Sequence, residues 1–292
     1  MVFVISSSSM PVLLCDSDHE AAFNSSNRWS PSAGPRGKRL PHEKIASMSP
    51  LPHTPAALLD AFRTLNATSP RLSWYGAEGE RVEFSGRVLD NWVAKTANYL
   101  VDELDAEPGQ VVALDLPLHW RSMVWLLAGW AVGATVATGE EAGGAEIVAT
   151  TDPAAAHVRL AGASPAPLVV AVALPALAMR WMGELPPRTL DYCGDVRSHG
   201  DQFFPDAEPG GSDAAWRNGD GGAVAETNYA QLLPAAEPAE APRRVLLQAR
   251  DGWGAVVPQA LKAWAAGGSV VLLGDGVEAT DALRSSENVT EG

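Results

Sequence analysis

Two stretches of the chain carry the same pattern 134 residues apart: Val111-Val-Ala-Leu114 with Leu126-Leu-Ala-Gly-Trp-Ala-Val-Gly-Ala-Thr-Val136, and Val245-Leu-Leu-Gln248 with Ala260-Leu-Lys-Ala-Trp-Ala-Ala-Gly-Gly-Ser-Val270. In each copy a short apolar run is followed by a helical pattern, a glycine and a second apolar run. This order predicts a βαβ crossover whose helix packs a tryptophan onto the sheet. Two related α/β subdomains explain the repeat, and so does a chance likeness between two βαβ units.

The flanking segments continue the alternation of strands and helices. Leu72–Tyr75 and Val82–Phe84 predict a hairpin, and Ser85 begins a long amphipathic helix. Ile147–Thr150 and Leu168–Leu174 are short apolar runs typical of buried strands. The sequence therefore predicts an α/β fold with parallel or mixed sheets, helices on both faces and two related subdomains.

Composition divides the chain into segments. Residues 1–47 are rich in serine, proline and charge and show no sustained periodicity, so we expect them to be disordered or to be an over-long gene start before Met48. The other predicted divisions are a domain at 48–280, subdomains at about 69–195 and 225–275, an irregular linker at 196–224 and a flexible tail at 281–292.

Charge and cysteine content exclude several classes of protein. The formal net charge is −14, and only four of the 21 basic residues are lysine, which argues against nucleic acid and anionic membranes as partners. No apolar stretch is long enough to span a bilayer, and the N-terminus is a poor signal peptide. Cys15 and Cys193 lie far apart, without a disulfide framework. These features predict a cytoplasmic protein.

Several local motifs resemble the front part of the AMP-binding superfamily, which holds acyl-CoA synthetases, luciferases and adenylation domains. The similar segments are the hairpin with its following helix, Pro108-Gly-Gln-Val-Val-Ala-Leu to Pro117, Thr227-Asn-Tyr-Ala-Gln-Leu-Leu233, and Arg244 to Leu273. The resemblance covers about 69–275 and is nearest to a short, uncharacterised actinobacterial family distantly similar to AMP-binding enzymes. It implies the fold of the family's N-terminal domain, with two related subdomains.

The same resemblance places a phosphate-binding loop just before Thr227. Active members have a Thr/Ser/Gly-rich loop ending in lysine there, whereas this chain has Ala214-Ala-Trp-Arg-Asn-Gly-Asp-Gly-Gly-Ala-Val224 and no lysine between Lys95 and Lys262. Asp213 and Asp220 would repel a polyphosphate. The glycine amides could still form an anion-binding nest, although a plain surface loop is the simpler interpretation. The candidate cofactor-binding residues are Asn218, Gly219, Gly221, Gly222 and Thr227.

Other chemistry finds little support in the sequence. The six histidines form no H-x-x-x-H or H-E-x-x-H pair, so no metal site is predicted. His119 is interpreted as a packing residue near a helix start. Ser198-His199-Gly-Asp201 brings hydroxyl, imidazole and carboxylate together in sequence, but triads are assembled in space, and no catalytic residue is assigned.

Three hypotheses for the function follow. The first is a catalytically degenerate AMP-binding-like domain that binds a small acyl or nucleotide ligand or a partner protein. The second is an adenylate-forming or acyl-CoA-forming enzyme whose missing half comes from another chain, since the family's later motifs and catalytic lysine domain have no counterpart in these residues. ATP or AMP with Mg²⁺ would be cofactors only in that case. The third is a structural subunit that uses exposed tryptophans as an interface.

Overall fold

The computed structural model describes residues 52–139, 144–220, 224–233 and 242–292, and the predicted disordered segment 1–47 lies outside these ranges. The strands are β1 (Pro70–Tyr75), β2 (Arg81–Ser85), β3 (Val111–Asp115), β4 (Thr135–Thr138), β5 (Ile147–Thr150), β6 (Leu168–Ala171), β7 (Thr189–Asp191), β8 (Ala214–Asn218), β9 (Ala225–Asn228), β10 (Arg244–Gln248) and β11 (Ser269–Leu273). The helices are α1 (Pro55–Thr64), α2 (Gly86–Leu104), α3 (Trp120–Val132), α4 (Pro153–Arg159), α5 (Tyr192–Asp195), α6 (Tyr229–Leu232), α7 (Trp253–Ala265) and α8 (Asp281–Ser286).

The larger sheet has the strand order β7-β6-β5-β3-β4-β8-β9. All neighbours in it are parallel except β8 and β9, which form an antiparallel hairpin. Successive side chains of a strand point to opposite faces, and β3 shows this directly. Val112 and Leu114 belong to the main apolar core, whereas Val111 and Ala113 belong to a smaller cluster. Both faces of the sheet are therefore covered, as predicted.

The smaller sheet has the order β10-β11-β1-β2. β10, β11 and β1 are parallel, and β1 and β2 form the predicted antiparallel hairpin. The repeat is confirmed as structure, because β3-α3-β4 and β10-α7-β11 are both parallel βαβ crossovers. The mixed α/β fold with two related halves is likewise confirmed.

Helix ends follow the sequence signals. Thr54 accepts a hydrogen bond from the Ala57 amide (3.1 Å) at the start of α1, with Pro55 in its first turn. Ser85 caps α2 in the same way through Val88. Gly133 ends α3 with φ of 89°, a left-handed conformation that glycine adopts without steric cost.

Sheet membership differs from the predicted subdomain ranges. The predicted irregular linker 196–224 ends in a strand, β8, which pairs with β4 inside the larger sheet. β9 and α6, predicted to open the second subdomain, continue this hairpin, while the β1–β2 hairpin pairs with β11 of the other sheet. The linker prediction is wrong here. Gly210, Gly211 and Asp213 precede β8 and are typical of a loop, and β8 itself has weak strand propensity, so its pairing with the parallel neighbour β4 makes it a strand.

The predicted flexible tail 281–292 is also corrected. It contains α8 and then Glu287, whose side chain is 5% exposed and contacts the smaller sheet. Tyr75, Arg81 and Arg244 donate hydrogen bonds to the Glu287 carboxylate. Burial alone would raise the pKa of Glu287, but these hydrogen bonds outweigh it and lower the pKa. A buried carboxylate with three donors fixes the tail in place.

The tryptophans that the structure describes pack inside rather than forming a surface. Seven of those described are buried, and Trp92 and Trp181 are partly buried. The hypothesis of an interface built from exposed tryptophans is therefore wrong for the part of the chain that the structure describes. Within the same residues, no helix is long and apolar enough to cross a bilayer.

Candidate functional site

The candidate site lies at the carboxyl edge of the larger sheet, where its parallel strands all end. The chain leaves β3 toward β4 on one side and leaves β5 toward β6 on the other. Open α/β sheets bind ligands in the crevice at such a divergence. Here the Thr150 hydroxyl donates to Asp115 Oδ2 (2.7 Å), and Arg159 Nη2 lies 2.5 Å from the same oxygen. The polar groups at this crevice thus satisfy one another.

A second polar group lies on the next two strands of the sheet, where β4 and β8 end side by side. The Trp216 indole N–H donates to Thr138 Oγ1 (2.9 Å), and the Thr138 hydroxyl donates to Asn218 Oδ1 (3.1 Å). Thr138 and Asn218 are both buried. This chain of hydrogen bonds fixes Asn218 at the start of the β8–β9 turn, which is the segment that resembles a phosphate loop.

The turn then reaches the N-terminus of α7. Asp220 Oδ2 accepts a hydrogen bond from the Gly254 amide (2.9 Å), which is in the first turn of that helix. Gly252, at the N-cap, has no side chain to do this. The first amides of a helix lack partners within the helix and carry its positive dipole end, so they attract an anion. In this protein that anion is a carboxylate of the chain itself.

Three glycines allow the close approach. A Cβ on Gly139 would lie 3.0 Å from the Asp220 amide nitrogen, one on Gly252 would lie 2.9 Å from Asp220 Oδ2, and one on Gly254 would lie 2.7 Å from Asn218 Nδ2. Gly139 and Gly252 also have positive φ, +79° and +82°. Asn218 and Asp220 therefore fill the space between the hairpin and α7 at van der Waals distance.

The candidate binding residues are distributed unevenly around this contact. Asn218 and Gly219 lie at the turn, but the Gly219 amide donates to the Thr138 carbonyl (2.9 Å), which extends the sheet ladder instead of facing a ligand. Thr227 lies in β9 opposite Trp216, two residue pairs from the end of β8. Gly221 and Gly222 lie outside the described residues. The contact of Asp220 with α7 could not be predicted from the sequence. The one local indication was the pair of glycines, Gly252 and Gly254, just before a helical pattern, which leaves room for a close approach to the helix N-terminus.

Histidine chemistry is absent from the described part of this site. His119 Nδ1 accepts from the Arg121 amide (3.1 Å) and caps α3, while its ring packs at 4.5 Å from that of Trp74. Burial, with a smaller effect of Arg121, lowers the pKa of His119 to about 3, so the ring is neutral. His119 is a packing residue, as interpreted, and also a helix cap.

Ser198, His199 and Asp201 do not form a triad. The Ser198 hydroxyl donates to the Asp195 carbonyl (2.7 Å), and His199 Nδ1 lies 3.1 Å from Asp102 on another element. Among residues 52–139, 144–220, 224–233 and 242–292, no cluster of three or more histidine, cysteine, aspartate or glutamate side chains could hold a metal ion.

Comparison with known proteins supports the resemblance. No family model matches the chain. A TIGR03089 family protein of Mycobacterium tuberculosis (strain ATCC 25618 / H37Rv) is 36% identical over 155 residues, which are 53% of this chain and 63% of that protein. The predicted likeness to an actinobacterial family is thus confirmed for a mycobacterial relative.

Solved structures give the fold. A Brucella canis acyl-CoA synthetase matches with a TM-score of 0.63 at 18% identity, over 81% of this chain and 46% of that one. A Mycobacterium tuberculosis fatty acyl CoA synthetase matches with 0.58 at 14% identity, over 81% and 48%. The N-terminal subdomain of Klebsiella oxytoca NpsA, in complex with anthranilyl-AMSN, matches with 0.54 at 15% identity, over 82% and 58%. The chain has the fold of the N-terminal domain of acyl-CoA synthetases and spans about half of their length.

Proposed function

We propose that this chain is a catalytically degenerate AMP-binding-like domain, which binds a small acyl or nucleotide ligand or a partner protein without forming an adenylate on its own. The observation that supports this is the Asp220 carboxylate at the N-terminus of α7. We further propose a cytoplasmic location, which the two distant cysteines without a disulfide framework support.

Electrostatics favours the non-catalytic role. Two unit charges 4 Å apart interact by roughly 1 kcal/mol in water and by about 4 kcal/mol near a protein surface. A polyphosphate brought to this turn would meet Asp220 with repulsion of that order for each negative charge. The one basic residue on β8, Arg217, is already paired with Glu226 across the hairpin (2.9 Å). Transfer of a nucleotidyl group needs the opposite arrangement, with positive charge placed where negative charge develops.

The test is acyl-dependent ATP–pyrophosphate exchange by the purified chain, with a panel of aliphatic and aromatic acids. An acyl-CoA synthetase of the matched fold serves as the positive control. We expect exchange at the level of the no-enzyme blank, together with a thermal shift from at least one of AMP, an acyl-CoA or a partner protein. Exchange that depends on both acid and chain would refute the degenerate role.

A second candidate is an enzyme that works with a partner chain. The reason to consider it is that this chain matches only 46% of the length of the Brucella synthetase, so a second chain could supply the remaining part. ATP and Mg²⁺ would then be its cofactors. Affinity purification of the full chain, followed by the exchange assay on the eluate, separates the two candidates. Activity that appears only with a co-purified, lysine-bearing subunit would favour the enzyme.

A further inference from the structure

An apolar cleft lies beyond the carboxyl end of β6, away from the β8–β9 turn. Its volume is about 660 Å³, which is within the range of small-molecule sites. Most of its lining is aliphatic or thioether, and its rim exposes Leu177 (74%), Met179 (63%) and Met182 (77%) to solvent. Isolated apolar side chains are normal on a surface, but a cluster around a cavity marks a site that binds something.

Side chains from other parts of the fold, one of them fully buried, contact the wall of this cleft from beneath. Arg121, which is 0% exposed, donates to the carbonyl oxygens of Pro175 (3.2 Å) and Ala176 (3.3 Å). Arg197 donates to the Ala178 carbonyl (3.2 Å), and Glu80 Oε1 accepts from the Ala176 amide (2.8 Å). The segment has little regular secondary structure, yet its backbone is fixed by three side chains from other parts of the fold.

The burial of Arg121 is costly and needs a reason. Its guanidinium lies 4.3 Å from the Trp120 ring, it forms no ion pair with a carboxylate among the described residues, and Nη1 has no hydrogen-bond partner there. An ionised group taken out of water without a counter-charge destabilises a fold. A preformed cleft wall is what this arrangement provides, and preformed walls lower the entropy lost when a ligand binds.

The charge on the lining is positive. Arg180 lines the cleft, is exposed, and makes no ion pair or hydrogen bond within the part of the chain that the structure describes. None of the described residues that line the cavity is acidic. Two carboxylates contact the backbone of the cleft wall from behind: Asp191 on β7 accepts from the Trp181 amide (2.8 Å), and Glu80 accepts from the Ala176 amide (2.8 Å). In a chain of net charge −14, an apolar cavity with a free guanidinium is a local exception.

We propose that this cleft is a binding site for a small molecule with an apolar body and one anionic group, which pairs with Arg180 while the body packs against the thioether and aliphatic lining. The cavity accommodates a bicyclic ring or a medium-length chain. A neutral apolar ligand would leave the guanidinium unpaired, and a cation would be repelled by it. The proposal stands apart from the proposed function, because the cleft is lined by Thr151 and residues 172–182 after β5 and β6, whereas the β8–β9 turn follows strands at the other end of the strand order.

Three matched probes test it by titration calorimetry on the full chain: 2-naphthoate, 2-naphthalenemethanol and 2-naphthylmethylammonium. We expect naphthoate to bind roughly tenfold more tightly than the alcohol, the equivalent of about 1.4 kcal/mol, and the cation not to bind. Arg180→Gln should remove the preference for the anion. Met182→Asp should abolish the binding of both naphthoate and the alcohol. Both side chains are exposed, so these variants should fold.

Val158→Asp and Arg250→Gln are the controls, since they change an exposed apolar and an exposed basic residue outside the cleft. Both should bind naphthoate like the native chain. Equal affinity for acid and alcohol, or naphthoate binding that survives Met182→Asp, would overturn the proposal. So would the absence of probe binding combined with dimerisation that Met182→Asp abolishes, because the cleft rim would then be a self-association surface.

Discussion

The two βαβ crossovers have equivalent buried contacts, but they differ in how the N-terminus of the helix is capped. In the first, the Trp130 indole N–H donates to the carbonyl of Ala215 in β8, and in the second Trp264 donates to the carbonyl of Arg71 in β1 (2.8 and 2.7 Å). Each acceptor lies in the strand next to the crossover's second strand. The repeat in the sequence is thus a repeated way of fastening a crossover to a third strand.

The turns after the two helices are equivalent as well. Gly133 and Gly267 both have positive φ, 89° and 76°. The carbonyl that follows each, Ala134 or Gly268, accepts a hydrogen bond from a distant side chain, Tyr229 in one case (2.7 Å) and Arg71 in the other (3.1 Å). Different side chains meet the same backbone requirement at the same place.

The difference lies in how the helix N-terminus is satisfied. α3 is capped by its own preceding residue, His119, whereas α7 takes a carboxylate from the β8–β9 turn of the other sheet. A helix capped by its preceding residue needs no contact with a distant segment. A helix capped by a residue far away in the sequence, such as α7, links two parts of the fold. The turn that resembles a phosphate loop is therefore used as a structural connection.

The largest expected effect on stability comes from replacing the two equivalent tryptophans, Trp130 and Trp264. Trp130→Leu and Trp264→Leu should each lower the free energy of unfolding by roughly 3 kcal/mol, because each leaves a cavity and an unpaired buried carbonyl. Urea denaturation measures this. Trp181→Leu, at a partly buried position, should cost less than about 1 kcal/mol. If the first two variants differed by more than about 2 kcal/mol, the crossovers would not be equivalent.

The cap of α3 should make stability depend on pH. His119 is neutral in the fold, with its pKa lowered to about 3, while the unfolded chain binds a proton below about 6.5. The native state then holds fewer protons, so its stability falls as pH drops from about 6.5 toward 3, by up to about 1.4 kcal/mol per pH unit from this group. Denaturation of native and His119→Asn chains at pH 7 and 5 measures the difference.

Asparagine keeps an acceptor at the cap and does not titrate, so His119→Asn should lose less stability between the two pH values than the native chain. Identical pH dependence of the two chains would mean that His119 is not a buried neutral cap.

The smallest expected effect is at the borrowed cap. Asp220→Ala should destabilise the chain by about 1 kcal/mol, because the Gly254 amide loses its acceptor, and Asp220→Asn should stay within about 0.5 kcal/mol of native. Asp275→Ala, at an exposed position, is the control for a lost negative charge. A cost for Asp220→Ala no larger than that of the control would show that the link to α7 contributes nothing.

Local signals were sufficient for much of the fold. The caps at Thr54 and Ser85, the glycine at 133 and the spacing around Trp130 and Trp264 are properties of a few neighbouring residues, so the helices and both crossovers could be predicted. The resemblance of the β8–β9 region to a phosphate loop, and its aspartates, could be recognised in the same way.

Long-range pairing could not be predicted. β8 is a strand because β4 lies beside it, and Glu287 orders the tail because Arg81 and Arg244 meet there from two strands. Neither fact could be predicted from the local composition, because both segments have the composition of a loop. The contact of Asp220 with α7 joins residues 34 positions apart and depends on the packing of two halves, so the site needed the structure.

The most direct test of the account is titration calorimetry of Mg-ATP into the native chain, with Asp220→Asn and Asn218→Ala in parallel. If Asp220 occupies the anion position at α7, the dissociation constant of Mg-ATP from the native chain should be about 1 mM or higher. Binding by the native chain in the micromolar range, weakened by Asn218→Ala, would place the nucleotide at the turn and contradict the account.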